Sequence, residues 1–138
     1  MFRFPSARKT SSRRTGATAV EFALAAPLAF MLLCGSIEFG RANMVLNATA
    51  NAAYQGARRA IVPGATSAQA ISAANATLTA SSVKSATVTV SPSTISTTTQ
   101  TVSVTVSVPL NANSWMSAFF TKNISISRSC TLTRERAK

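Results

Sequence analysis

The stretch RRTGATAVEFALAAPLAFMLLCGSIEFGR, Arg13 to Arg41, decides the fold of this chain. Inside it, the 21 residues from Ala17 to Ile37 carry one charge, Glu21. A helix rises about 1.5 Å per residue, so such a run covers the roughly 30 Å of a bilayer's hydrocarbon core. The segment LAAPLAFMLLCG is apolar on every face, which suits lipid better than the one-sided core of a small soluble domain. A chain of 138 residues has little else with which to cover it. Pro27 is expected to kink the helix or loosen one turn, which membrane helices tolerate.

The charge is placed at the two ends. Lys and Arg number 14 against 3 acidic residues, a formal net charge of +11. Arg3, Arg8, Lys9, Arg13 and Arg14 precede the apolar run, and Arg134, Arg136 and Lys138 close the sequence. A basic flank before a span stays on the cytoplasmic side, which sends the C-terminal part outward. A nucleic-acid binder spreads its basic residues along one face with aromatics between them for stacking. Here the aromatics lie mostly in or beside apolar segments, so nucleic acid is not an expected partner.

Catalytic chemistry has little to work with. The chain has no histidine and no aspartate, and its glutamates are Glu21, Glu38 and Glu135. Two of those three would have to converge to make a paired-carboxylate site. Neither an enzyme nor a metal, cofactor or small-molecule site is expected. Ser81-Ser82-Val83-Lys84 matches the short S-x-x-K pattern, but its companion motifs are missing, and a solvated turn is the better reading. Cys34 lies in the apolar run and Cys130 near the C-terminus, so both are expected to be free thiols.

The helical signal continues past the span. In residues 38–62, Phe39, Ala42, Leu46, Ala50, Ala53, Ala57 and Ala60–Ile61 recur at spacings of three and four, an apolar stripe that Pro63-Gly64 ends. One helix from Ala17 to Val62, about 70 Å long, would face lipid first and a folded domain second. A shorter helix over 66–79 follows, with Ser67 as cap and Ala68, Ile71, Ala74 and Leu78 on one face. The period then drops to two. Val88 and Val90, then Val102, Val104, Val106 and Val108, then Ile124, Ile126, Cys130 and Leu132 alternate with polar residues. Arg128 is the exception in the last set. These read as antiparallel strands near 86–91, 100–108 and 123–133, each covered on one side by the amphipathic helix. In NSWMSAFF, Trp115 and Phe119 are expected to pack on the end of the sheet. The fold class is therefore α+β: a single-pass protein with a long N-terminal helix, first transmembrane and then amphipathic, packed on a small antiparallel sheet.

Glu21 remains to be explained, because a carboxylate at mid-span costs about 2.5–3.5 kcal/mol on insertion scales and less near an interface. In GATAVEF, Gly16 to Phe22, a basic leader ends in glycine, the span starts at once, and the glutamate stands fifth after the glycine. This arrangement resembles the class III signal of type IV prepilins. With Phe22 after the glutamate, Ile37-Glu38-Phe39-Gly40-Arg41 at the end of the span, and NAAYQGARRAIV further on, residues 13–62 look like TadE-like pseudopilins of the tight-adherence (Flp) pilus machinery. The resemblance implies a pilin-like fold and removal of residues 1–16 by a prepilin peptidase between Gly16 and Ala17. It also implies residues 17–37 as the retained span, with 38–138 as a periplasmic domain of an inner-membrane protein. Glu21, beside Phe22, would meet the N-terminal amine of a neighbouring pilin-like subunit, on an assembly platform. Ala17 stands where many type IV pilins begin with phenylalanine.

The function that follows is that of a minor, non-enzymatic pilus-assembly component whose partners are the peptidase, other pilin-like subunits, the assembly platform and membrane lipid. Ala48, Ala50, Ala52, Ala53 and Ala57 would allow close approach of a neighbouring helix, or of the protein's own sheet. The competing reading is a membrane-anchored binding or adhesion module outside any pilus. Its contact loop would be SPSTISTTTQ, Ser91 to Gln100.

Overall fold

Four valines at alternate positions of one strand, Val102, Val104, Val106 and Val108, are completely buried and form the floor on which the rest is built. The computed structural model describes residues 12–115 and 123–134. Residues 1–11 of the leader, Phe119, and Glu135, Arg136 and Lys138 lie outside them. In chain order the elements are α1 (Ser12–Ala60), α2 (Ser67–Ala80), β1 (Thr87–Ser91), β2 (Thr101–Pro109), a 3-10 turn (Leu110–Ala112) and β3 (Ser125–Thr133). The chain divides into two units, Met1–Ser36 and Ile37–Lys138.

In the first unit the described residues are helical from Ser12. The end of the basic leader is thus already helix. No glycine or proline lies between Ser12 and Thr15, and the strong run that follows propagates the helix backwards at little cost. Helix continues through Pro27, which lacks the N–H that would bond to the carbonyl of Ala23. Phe22, Leu24, Leu28, Phe30, Met31 and Leu32 are all between 62% and 75% exposed. Apolar side chains exposed on every side of a helix are unfavourable in water and favourable in lipid. Ser36 Oγ donates to the carbonyl of Leu32 at 2.8 Å, which satisfies the hydroxyl within the helix. The helix is long and apolar enough to cross a membrane.

In the second unit, strand order is β1-β2-β3, antiparallel throughout. Val104 lies opposite Val90 on one side and Cys130 on the other. The valine face is covered by Val45, Ala52, Ala53, Ala57 and Ala60 of α1 and by Ala70, Ala74 and Leu78 of α2. The opposite face carries hydroxyls, with Pro109 at its end: Thr87, Thr89 and Ser91, then Thr101, Ser103, Thr105 and Ser107, then Ser125, Ser127, Ser129, Thr131 and Thr133. Several of them bond across strands, Ser103 to Ser129 at 3.0 Å and Thr131 to Ser103 at 3.0 Å.

The buried line on α1 differs from the expected stripe. Phe39 is 71% exposed, and Ala50 is exposed as well. The line that faces the sheet runs Val45, Thr49, Ala52, Gly56, Ala60, with Ala48, Ala53 and Ala57 beside it. Two members, Thr49 and Gly56, escape a search for apolar residues. Thr49 Oγ1 donates to the carbonyl of Val45 at 2.7 Å, so its hydroxyl is buried but satisfied. Gly56 marks the closest approach: an added Cβ would lie 3.1 Å from Val104 Cγ1 and 3.2 Å from both the carbonyl oxygen of Ala70 and Cβ of Ala74.

The turn Val62-Pro63-Gly64-Ala65 closes with Ala65 N–H to the carbonyl of Val62 at 3.0 Å, and Gly64 takes φ +78°. This is the proline-then-glycine arrangement of a type II turn. Helix α2 is capped by Thr66, one residue before the expected Ser67. The Thr66 side chain accepts from Gln69 N–H, a bond its extended backbone permits. The buried face of α2 is Ala70, Ala74 and Leu78. Ala68 is exposed and Ile71 half-buried, a rotation forced by the close approach at Gly56. At its other end, Val83 N–H reaches the carbonyl of Leu78 and Ser82 N–H that of Thr79, with Ser82 at φ +52°. That is a Schellman motif with serine in the position that favours glycine.

The structure is thus α+β, a long N-terminal helix and a three-stranded antiparallel sheet. Gly56→Leu is expected to destabilise the folded unit by about 3 kcal/mol through overpacking against Val104 and the α2 backbone. Ser82→Gly should stabilise it by about 1 kcal/mol by relieving the left-handed backbone. Both are read from thermal unfolding of the detergent-solubilised chain by circular dichroism.

Candidate functional site

Two groups of residues carry the functional argument, one in each unit. In the first, Gly16, Ala17, Glu21 and Phe22 all lie on α1 and are all exposed. Ala17 and Glu21 are four residues apart and so share one face of the helix. A Cβ at Gly16 would meet nothing within 4 Å, so the bond after Gly16 is not crowded by this chain's own side chains. Glu21 has no hydrogen-bond or ion-pair partner among the described residues. None of the described residues of this chain therefore engages the two carboxylate oxygens of Glu21.

The second group follows the apolar run directly. Glu38 Oε1 accepts the backbone N–H of Trp115 at 3.0 Å, and Glu38 Oε2 accepts Ser114 Oγ–H at 2.9 Å. Three residues on, Arg41 Nε donates to the carbonyl of Asn113 at 3.1 Å and its Nη2 donates to the carbonyl of Ser82 at 3.1 Å. One carboxylate and one guanidinium on adjacent turns thus hold the chain after β2 and the turn after α2. Charge-assisted bonds of this kind are roughly twice as strong as neutral ones.

Asn113, which is 4% exposed, completes the arrangement. Its Oδ1 accepts Lys84 N–H at 2.8 Å, while its Nδ2 donates to the carbonyls of Lys84 at 2.9 Å and Pro109 at 3.0 Å. It pairs with Lys84 as a neighbouring strand would, just where the regular sheet has ended. The Arg41–Asn113–Ser82 connection therefore joins three segments that are far apart in sequence.

This pull explains a difference at Trp115. Rather than packing on the end of the sheet, its side chain is 79% exposed. Glu38 holds its backbone toward α1, and Leu110, 8% exposed, closes the sheet end with its N–H bonded to the carbonyl of Ile124 at 2.9 Å. The alanines proposed for helix approach also resolve: Ala48, Ala52, Ala53 and Ala57 are buried within their own unit, and Ala50 alone of the five is exposed.

The remaining candidates have structural roles. Ser81 Oγ donates to the carbonyl of Thr77 at 3.0 Å as part of the α2 terminus, which occupies the hydroxyl of the S-x-x-K match. Cys34 and Cys130 are free thiols. Among the described residues, no three of the metal-ligating side chains come together. The loop Ser91 to Gln100 is ordered by its own turn, with Thr99 N–H to the carbonyl of Ser96 at 3.2 Å, and by Arg134 Nη1 to the carbonyl of Ser96 at 2.7 Å.

Glu38 and Arg41 carry a sequence signal for this role, an E-x-x-R pair on one side of a helix immediately after an apolar run. Asn113 has none, since its principal partner, Lys84, lies 29 residues away. Asn113→Ala should lower stability by about 3 kcal/mol, because it leaves an N–H and two carbonyls without their partner. Asn113→Asp should cost at least as much, since a carboxylate oxygen would then face the carbonyls of Lys84 and Pro109. Chemical denaturation of the two variants in detergent checks both.

Comparison with known proteins bears on the N-terminal part. Neither the curated proteins nor the solved structures yield a match to this chain. A family model does match, and it begins at Gly16 itself. It ends at Arg58, so it takes in Ala17, Glu21, Phe22, Glu38, Arg41 and Gly56 and stops before the end of α1. Residues 16–58 are a TadE-like segment, the description carried by the family model they match and the family their sequence resembles.

Proposed function

We propose that this protein is a membrane-anchored, pseudopilin-like component of tight-adherence pilus assembly. The observation that carries the reading is the TadE-like match beginning at Gly16, followed at the fifth residue by Glu21, which has no partner among the described residues, on an exposed apolar helix. In this reading the apolar part of α1 spans the inner membrane, with the basic leader in the cytoplasm and residues 38–138 in the periplasm. A prepilin peptidase cleaves after Gly16 and leaves Ala17 with a new ammonium group. Glycine suits that position for a physical reason. The bond lies in the second turn of a helix that starts at Ser12, and a peptidase needs extended backbone. Glycine lowers helix stability there by about 1 kcal/mol relative to alanine, which eases local unwinding.

Glu21 then meets the ammonium of a neighbouring subunit. A charge pair away from water holds together only when geometry and hydrogen bonding are good, so its main effect is to set the register between two helices. Phe22 and the exposed leucines supply the nonspecific part of the contact. Neither step asks the protein to catalyse a reaction, and its role is structural.

One observation favours a second reading, a membrane-anchored binding module. The outer face of the sheet is a continuous field of serine and threonine hydroxyls without a charge. Such a face hydrogen-bonds readily to other hydroxylated surfaces. Replacing residues 1–37 with an unrelated membrane anchor separates the two readings. A binding module keeps its function, whereas a pseudopilin loses its own.

In cells with the peptidase, intact-mass analysis of the membrane form should show loss of residues 1–16. The loss should disappear with Gly16→Val or without the peptidase, and an intact N-terminus in the wild-type chain would sink the processing step. Glu21→Ala should still insert and be cleaved, but fail to co-purify with other pilin-like subunits. Undiminished assembly by that variant would remove Glu21 from the docking role.

A further inference from the structure

Trp115 is the single tryptophan of the chain, and its side chain is 79% exposed although its backbone is firmly held. The holding group is Glu38, the residue immediately after the apolar run, whose Oε1 is 3.0 Å from Trp115 N. A trans chain advances at most about 3.6 Å per residue, so Glu38 lies within about 4 Å of Ile37 in any arrangement of the two units. With a glutamate side chain reaching about 5 Å from its Cα, the Trp115 backbone is therefore kept within about 12 Å of the place where the apolar run ends. Headgroup layers extend several ångströms beyond each side of a bilayer's roughly 30 Å core. Tryptophan is enriched in that layer because its ring is apolar while its N–H seeks a polar partner.

The surroundings fit the same depth. A recess of about 380 Å³ lies beside the indole, lined in part by Arg41, Met44 and Lys84. Lys84 is exposed and Met44 is 49% exposed. Arg41 uses Nε and Nη2 to hold carbonyls, and a guanidinium has five N–H donors. A cationic recess next to an exposed aromatic, at the foot of a span, is complementary to phospholipid headgroups, with phosphate on the cations and the ring among the upper acyl chains. The Glu38 carboxylate is turned to Ser114 Oγ–H and the Trp115 N–H, and its single negative charge is outnumbered by the two cations Arg41 and Lys84.

We infer that Trp115, Lys84 and Arg41 form a lipid-facing foot that seats the extracytoplasmic unit on the outer headgroup layer of the membrane its own helix crosses. The inference rests on the reading of the apolar run as a membrane span. Its role is to limit tilting of the folded unit about the end of the span, with the tether from Glu38 and Arg41 setting the depth.

The single tryptophan makes the test specific. The full chain is reconstituted into phosphatidylcholine vesicles with and without phosphatidylglycerol, and insertion is measured separately by resistance to alkaline extraction. Trp115 emission is expected to be blue-shifted, protected from aqueous acrylamide, and quenched most by spin labels at the headgroup or upper acyl chain. Lys84→Gln should reduce the extra protection that phosphatidylglycerol confers, and Trp115→Phe should remove the signal altogether. An inserted chain whose emission is quenched by acrylamide as a free indole would be overturns the inference. So does an inserted chain whose tryptophan is shielded from acrylamide and lipid labels alike, which would place a protein partner over it. A chain released by alkaline extraction overturns the membrane reading itself, so the two failures are distinguishable.

Discussion

The close approach at Gly56 is the contact on which the second unit depends. An α-helix can lie on a sheet of valines with another helix beside it only if some of its side chains are small, and Gly56 lets Val104, Ala70 and Ala74 converge on one point. The alanines on either side, Ala52, Ala53, Ala57 and Ala60, extend that near approach along about two turns. Once α1 lies this close, the rotation of α2 follows, and so does the burial of Ala70, Ala74 and Leu78. Packing at the density of an organic crystal leaves no room for a different rotation. The short side chains that make the helix look featureless are what bring the layers together.

Glu38 and Arg41 transmit the position of that helix to the rest of the unit. They reach the segment after β2 and the turn after α2, both of which lie beyond the edges of regular structure. Asn113 converts this into a closed polar network by pairing with both backbone groups of Lys84. The TadE-like match covers residues 16–58, the part of the chain that holds Gly16, the apolar run, this pair of tethers and Gly56. One helix thus carries both the run long and apolar enough to cross a membrane and the small residues that pack on the sheet. The sheet's outer face is asked only to be polar.

That outer face has its own logic. Serine and threonine satisfy strand geometry and solubility without charge, and threonine in particular favours the pleated backbone. The two outer strands of a three-stranded sheet present unpaired backbone groups, which other chains can join. Arg128 answers this on β3: it occupies a position of core-facing parity opposite Val106 yet is exposed. A charge there discourages a further strand from adding, which accounts for the one break in the apolar alternation.

The sequence by itself determined that an apolar helix begins the chain, that its length suits a bilayer, and that alternating strands follow in an α+β fold. These were legible because each depends on a local period, 3.6 for the helix and 2 for the strands, written in strongly apolar residues such as Leu32 or Val104. The glycine-to-glutamate spacing of Gly16 and Glu21 was legible for the same reason, since it needs only five residues. The tertiary structure decided which side of α1 is buried. From Phe39 to Ile61 alanines occur on nearly every face, so periodicity alone permits several stripes. Closeness at Gly56 selects the one through Val45, Thr49 and Ala60. It also decided the fate of Trp115 and Asn113, because the bonds from Glu38 to Trp115 and from Arg41 to Asn113 join residues 77 and 72 positions apart. No local pattern records a contact of that span; it exists only once the core has brought the helix and the loop together.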